Sequence, residues 1–236
     1  MLLAMAGLIS VDYEKLSSFE LFKGLNRSFV EKAAFGAVTK SLKHREFFFR
    51  VGDTAQSFCI VLDGAIKLLR HSPRGEDIIM HFAVQGDVVG ALLMNQNESA
   101  VYPISAKSMG PTRIVCIPKS TFKQYWQSDV NIQSRLNSLL YRRMSNIQDD
   151  KTMSTSPLRV RIANLLMRHL DQESENSNQT LSLSLTRQEI ADALGVAVES
   201  VIRSMRDWQD DGTIYRPSDK GSEIINVEKL LKHLEP

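Results

Sequence analysis

Residues 185–214 read LTRQEIADALGVAVESVIRSMRDWQDDGTI. Thr186-Arg187-Gln188-Glu189 has the form of a capping box, with a hydroxyl at the N-cap and a carboxylate three residues on. The helix it opens is expected to bury Ile190, Ala193 and Leu194. Gly195 then supplies a sharp turn. A second helix beginning near Ala197 places Val201, Met205 and Trp208 at i, i+4 and i+7, on one side. Val198, Glu199, Ser200, Ile202, Arg203 and Arg206 are left for other faces. Two short helices joined through a glycine turn form a helix-turn-helix. The N-terminal part of the second helix is where such an element meets base edges. Arg203 can donate a bidentate pair to guanine O6 and N7, and Glu199 can accept from cytosine N4. Arg187 and Gln188, at the start of the first helix, complete this part of the candidate DNA-contacting set. A helical hairpin with solvated charges has the same periodicity.

Downstream, Gly212 to Arg216, a turn over Ser218 to Ser222, and Glu223 to Val227 read as a two-stranded wing. Arg216 and Lys220 on it are candidates for phosphate contact, which gives affinity and register but no sequence preference. Upstream, Leu181 to Leu185 alternates leucine with serine as a short strand would, and the polar run Asp171 to Thr180 reads as a surface loop. Before that, Leu158, Ile162, Leu165, Leu166 and Leu170 mark one side of a further helix. Ser154-Thr155-Ser156-Pro157 breaks the chain ahead of it and reads as a hinge.

From Ser120 to Thr152 there is no proline or glycine. Apolar residues recur there at Ile132, Leu136, Leu139, Leu140, Met144 and Ile147, which predicts one long helix, about 45 Å if it runs for some thirty residues. Such a helix is longer than a small domain needs to cover its core. The stripe is expected to form a coiled-coil dimer seam, with Arg143, Asn146 and Asp150 as polar positions that set register. The alternative is a long helix packed on its own sandwich.

Between Phe47 and Phe122 the texture is different. Phe58 to Leu62, Ala65 to Leu69, Ile78 to Phe82 and Arg113 to Ile117 are short β-rich runs. Gly52-Asp53, Asp63-Gly64, Pro73-Arg74-Gly75 and Gly86-Asp87 punctuate them, which predicts a β-sandwich or barrel.

Bulk properties narrow the function classes. The chain has 236 residues with a net charge of +2. From Thr152 onward there are 10 Lys and Arg against 13 Asp and Glu, so any DNA contact there depends on a local basic face rather than on overall charge. Cys59 and Cys116 both sit in apolar runs and read as buried thiols of a protein in a reducing compartment. Two cysteines cannot furnish a four-cysteine metal or iron–sulfur site. No apolar run reaches the roughly 20 residues of a membrane span, and Met1 to Ser10 lacks the basic start of a signal peptide, so a cytoplasmic protein without membrane partners is expected. HExxH, GxSxG, P-loop and dinucleotide fingerprints are all missing, which argues against an enzyme with catalytic residues.

Taken together, the quoted helix-turn-helix and the run FFRVGDTAQSFCIVLDGAIKLLRHSPRGEDIIMHFAVQGDVVGA resemble the CRP/FNR family of bacterial transcription regulators over almost the whole chain. The resemblance implies an α+β protein: an N-terminal β-roll or jelly-roll effector domain of the cyclic-nucleotide-binding type (1–122), a dimerisation helix (123–153), and a C-terminal winged helix-turn-helix (154–236). It also implies a homodimer on palindromic double-stranded DNA, allosteric control by an effector, and RNA polymerase as a partner. The FNR branch carries V-E-x-x-S-R in the recognition helix. This chain has Val198-Glu199-Ser200-Val201-Ile202-Arg203, which implies a TGA-like half-site core, with Ile202 where that branch has a base-contacting serine.

The cyclic-nucleotide-binding members use a Gly-Glu pair and, about ten residues on, Arg-Ser. Here Gly90 is followed by Ala91, and the later positions fall at Ser99, Ala100 and Val101, with Gly86 on the preceding turn. No Arg or Lys lies between Arg74 and Lys107, so a phosphate in this pocket would lack a charged partner and would face Glu98. The effector is therefore expected not to be cAMP. The N-terminal cysteine cluster of the oxygen-sensing members is missing as well. Haem remains open, with His81 the best placed of His44, His71, His81, His169 and His233. The alternative to a DNA-reading regulator is a sensing or dimerisation module with weak or lost DNA binding, which the acidic C-terminal balance and Ile202 would favour.

Overall fold

The computed structural model describes residues 11–73, 75–170, 178–180, 185–215 and 223–234. The chain forms two compact units, Met1–Met144 and Ser145–Pro236.

In the first unit, α1 (Tyr13–Ser18) and α2 (Arg27–Ala33) precede a roll of eight strands. These are β1 (Val38–Leu42), β2 (Phe47–Phe49), β3 (Ser57–Asp63), β4 (Ile66–His71), β5 (Asp77–Ala83), β6 (Val88–Val89), β7 (Ser105–Ser108) and β8 (Thr112–Pro118). They form two four-stranded sheets, β1-β8-β3-β6 and β2-β7-β4-β5, antiparallel throughout. The expected sandwich is present, and the four apolar runs fall in β3, β4, β5 and β8. Continuous burial in β3 and β8 marks strands covered on both faces, whereas β5 alternates and leaves Ile78 and Met80 exposed. In β3, Phe58 to Leu62 are all inaccessible. Cys59 and Cys116 are cross-strand partners on β3 and β8 and lie buried as expected. Burial pushes both thiols up, Cys116 to about 12, which makes them poor nucleophiles.

The helix after the roll is not continuous. α3 (Lys119–Thr121) runs into a π-helical turn at Phe122–Trp126, and the chain breaks before α4 (Val130–Thr152). The break has a local cause: Asp129 caps α4, its carboxylate accepting from the Ile132 amide at 3.0 Å. Trp126 anchors the π turn. Its indole donates to the Ala33 carbonyl at 2.8 Å, and its ring meets Phe58 edge-on at 4.8 Å.

The long stripe on α4 also divides. Ile132 and Leu136 are buried in the roll's own core, and Leu139 and Leu140 pack partly against it. Only Met144 (52% exposed) and Ile147 (43%) stand out in solvent. The expected seam is therefore corrected: its N-terminal half is the helix's attachment to its own sandwich. The three polar register positions are corrected too. Arg143 donates to the Val88 carbonyl of β6 at 3.0 Å, while Asp150 and the Asn146 carbonyl both accept from Arg168, at 2.8 and 3.2 Å.

The second unit holds α5 (Leu158–Met167), α6 (Arg187–Leu194), α7 (Val198–Asp210), α8 (Val227–Lys232) and a small sheet ordered β10 (Ile214–Tyr215), β11 (Ile224–Asn226), β9 (Asn178–Thr180). Part of the expected loop at Asp171 to Thr180 is thus strand, recruited by pairing with β11. The expected strand at Leu181 to Leu185 lies, apart from Leu185, outside the described residues. At the hinge, Met153–Thr155 forms a 3-10 turn and Pro157 leads directly into α5, where its missing amide costs no hydrogen bond. Among the described residues no helix is long and apolar enough to cross a membrane.

His169, just past α5, is largely buried, and burial together with the neighbouring Arg168 lowers its pKa to about 4. The unfolded imidazole takes its proton near pH 6.5 and the folded one near 4. Stability from this group is therefore full above pH 6.5 and is lost as the pH falls toward 4. Thermal melts of the wild type are expected to lose stability over that range, and His169→Gln is expected to flatten the loss.

Candidate nucleic-acid interface and sensor region

The interface begins with the capping box, present as read. Thr186 Oγ1 accepts from the Glu189 amide at 3.2 Å, and the Glu189 carboxylate accepts from the Thr186 amide at 3.1 Å. These bonds draw Glu189 inside, so α6 buries Glu189, Ile190 and Ala191, while Ala193 and Leu194 are only half-buried. Gly195 closes α6 in the left-handed region at φ 63°, where a side chain would be strained. With that turn set, α7 buries Val201, Ser204, Met205 and Trp208. Glu199, Ile202, Arg203 and Arg206, at i, i+3, i+4 and i+7, are exposed on the opposite face. Val198 and Ser200 are half-buried at its start. Ile202 is 50% exposed, an apolar side chain set among charges. Two buttresses hold the element: Arg159 of α5 pairs with Asp207 of α7, and Arg161 donates to the Leu194 carbonyl at the end of α6.

Several candidate contacts are placed differently. Arg187 does not stand free for phosphate. It makes a bidentate pair with Glu223, at 3.0 and 2.6 Å, beside the wing strand β11. Gln188 is exposed but donates to Asp192 at 2.7 Å. Arg216 and Lys220 lie outside the described residues.

In the roll, Gly86 and Gly90 bracket β6. Gly86 lies under the Phe19 ring, whereas Gly90 lies under Tyr102. Gly90 has φ 89°, and a Cβ added there would come within 3.2 Å of the Tyr102 ring. Ala91 is buried at the start of a 3-10 turn, Ala91–Asn95. Ala100 accepts from the Ala55 amide at 2.8 Å, Val101 bridges to Thr54, and Ser99 is exposed. Tyr102 itself is buried, stacked on Phe49 at 3.6 Å, with its hydroxyl donating to the Ser57 carbonyl. Glu98 is corrected: it pairs with Lys123 and lies 3.9 Å from Lys119, and these partners hold its carboxyl low. Lys119, 3% exposed, donates to the Asn97 carbonyl at 2.6 Å. Counting cations between residues 74 and 107 could not find it, because it arrives from α3.

The histidines are engaged in several ways. His44 contacts the Met109 carbonyl at 2.7 Å, His71 pairs with Asp77 at 2.8 Å, and the His233 ring lies tilted against Trp208, centroids 5.0 Å apart. His81 lies 4.0 Å from Asp87, whose carboxyl burial pushes up against the opposing pull of the Val84 amide and Arg143. Among the described residues no three His, Cys, Asp or Glu come together as a metal site.

Residues 160–233 match the Crp-like helix-turn-helix domain, and residues 39–129 match the cyclic nucleotide-binding domain. The transcriptional activator protein anr of Pseudomonas aeruginosa is 30% identical over 197 residues, covering 81% of this chain and 77% of its own. The chain belongs to the CRP/FNR family of transcription regulators. The nitrogen fixation regulation protein FixK of Bradyrhizobium diazoefficiens is a further relative, 27% identical over 72% of this chain and 70% of FixK. The structure of FixK2 from Bradyrhizobium japonicum has the same fold, with a TM-score of 0.70 at 20% identity over 85% of this chain and 98% of that one. This CRP/FNR chain is thus a DNA-binding regulator of transcription, with a helix-turn-helix and a cyclic-nucleotide-binding-like roll.

In this CRP/FNR protein Arg187 acts within the fold. Arg187→Ala is expected to cost about 2 kcal/mol of stability, since it leaves the largely buried Glu223 carboxylate uncompensated. The double variant Arg187→Ala/Glu223→Ala is expected to recover part of that loss in thermal melts. The salt slope of DNA binding should stay as in the wild type, because no phosphate contact is removed.

Proposed function

We propose that this protein binds palindromic DNA as a homodimer, reading a TGA-like half-site core through α7, and that cAMP is not its effector. The observation that carries the reading is the partition of α7. Glu199, Ile202, Arg203 and Arg206 share one exposed stripe while Val201, Met205 and Trp208 fill the core. Arg203 supplies the donor fork for guanine and Glu199 the acceptor for cytosine. Phosphate contacts are assigned to Arg216 and Lys220, and Gln188, Val198 and Ser200 complete the candidate DNA-contacting set. The functional parts follow as roll (1–122), dimer helix (123–153) and reader (154–236), and RNA polymerase is the partner through which bound DNA is put to use.

The dimer seam is assigned to the exposed side of α4. Val130 (80% exposed), Tyr141 (67%) and Met144 (52%) stand there with the polar Asn137 between them, at i, i+7, i+11 and i+14. That is a heptad spacing, and a buried asparagine within such a seam favours a parallel pair. Against cAMP stand Ala91 and Ala100 at the positions of the ribose-binding and phosphate-binding side chains, and Tyr102 over Gly90.

Fluorescence anisotropy on a palindromic TGA duplex is expected to give affinity that falls linearly on a log–log plot against salt. Arg203→Ala should cost about 1–3 kcal/mol and relax preference at one guanine. Failure to bind any such duplex at low salt would overturn the reading. In sedimentation, Tyr141→Glu/Met144→Glu is expected to convert dimer to monomer and abolish tight binding to the palindrome. A dimer that survives the two charges would remove this face of α4 as the seam.

A further inference from the structure

We infer that the roll of this protein is held in its working arrangement by its own side chains, so that DNA binding requires no low-molecular-weight effector. The inference rests on the reading of the protein as a DNA-binding dimer and adds how that activity is controlled.

The segment from β6 to Tyr102 is where a ligand of the cyclic-nucleotide class would be gripped. Here it is clamped at successive points from within the chain. At its start, Arg143 of α4 donates to the Val88 carbonyl at 3.0 Å. Arg143 continues the stripe of Ile132, Leu136 and Leu139, by which α4 sits on the roll, and so it joins the long helix to the head of the segment. Asp87, one residue before β6, supplies a negative charge near the half-buried Arg143 guanidinium. Two residues further on, the Tyr102 ring closes over Gly90, filling the space there, stacked on Phe49 and tied to the Ser57 carbonyl. In the middle, the buried Lys119 holds the Asn97 carbonyl, and Lys123 holds Glu98. Near the end, the Ala55 amide holds the Ala100 carbonyl.

A ligand shifts a conformational equilibrium only through contacts that differ between the two states. A bound effector would order this segment and tie it to the long helix. Tyr102 and Arg143 already make both connections in cis. The free energy an effector would contribute is therefore built into the chain, and the entropy of ordering the segment is met on folding.

The test uses the full-length protein and a fluorescent palindromic TGA duplex. Protein purified directly is compared with protein unfolded in guanidinium, dialysed free of small molecules and refolded. The refolded sample is expected to bind within about twofold of the native one, and 1 mM cAMP should change neither. Arg143→Met keeps the apolar stem and removes the bond to Val88. It is expected to bind DNA about tenfold more weakly, the loss of one hydrogen bond to a charged group, with dimer mass unchanged. Tyr102→Ala opens the space over Gly90 and should weaken binding likewise, whereas Tyr102→Phe keeps the stack and should weaken it less. A refolded protein that binds tenfold or more weakly, and is restored by the low-mass fraction of a cell extract, would overturn the inference while leaving the DNA-reading function intact. Wild-type binding by both Arg143→Met and Tyr102→Ala would overturn it as well. Failure of native and refolded samples to bind with or without extract would bring down the proposed function, and this inference with it.

Discussion

The burial of Val201, Met205 and Trp208 sets the rotation of α7, and the functional face follows from that rotation. A helix has one apolar stripe to hide, and once it is hidden the opposite stripe must meet solvent. Here the opposite stripe carries Glu199, Ile202, Arg203 and Arg206. The pieces around α7 serve to keep that rotation. The capping box starts α6 at Thr186, the left-handed Gly195 turns the chain, and the ties from Arg159 and Arg161 bring α5 against both helices. The Arg187–Glu223 pair belongs to the same frame, attaching the start of α6 beside β11.

In the first unit the corresponding constraint is the seating of α4 on the roll. Ile132 and Leu136 commit one side of the helix to the sandwich, so that Tyr141 and Met144 are left outside. One helix thereby has an inner and an outer duty: Ile132 and Leu136 face the roll, while Val130, Tyr141 and Met144 stand on the exposed side. Arg143 lies on the inner side next to the outward Met144 in sequence. Whatever changes at β6 is thus one residue from the face assigned to the partner protomer.

Much of this was legible before any coordinates. Cys59 and Cys116 read as buried because each stood in an apolar run, and the runs of β3, β4, β5 and β8 were visible between their turns. What escaped was set by partners distant in sequence. Lys119 reaches Asn97 across 22 residues, and Glu223 claims Arg187 across 36. No periodicity or local motif reports such pairs. The break before α4 escaped for a different reason: neither proline nor glycine marks it, and it depends on the Asp129 cap and on the seating of Trp126.

The helix-turn-helix, the family, and the run without Lys or Arg between Arg74 and Lys107 can be read from the residues alone, because each is a matter of residue type at short spacing. Hydrogen bonds of caps and turns, and the 3.6-residue stripe, act within a few residues and can be read along the chain. The inward half of the α4 stripe, the binding of Arg187 to Glu223 and the filling of the space over Gly90 by Tyr102 were settled by packing across the fold. Those outcomes depend on which groups compete for one another after the sheets have closed. Burial then favours whichever cation and anion, or ring and hollow, meet in three dimensions.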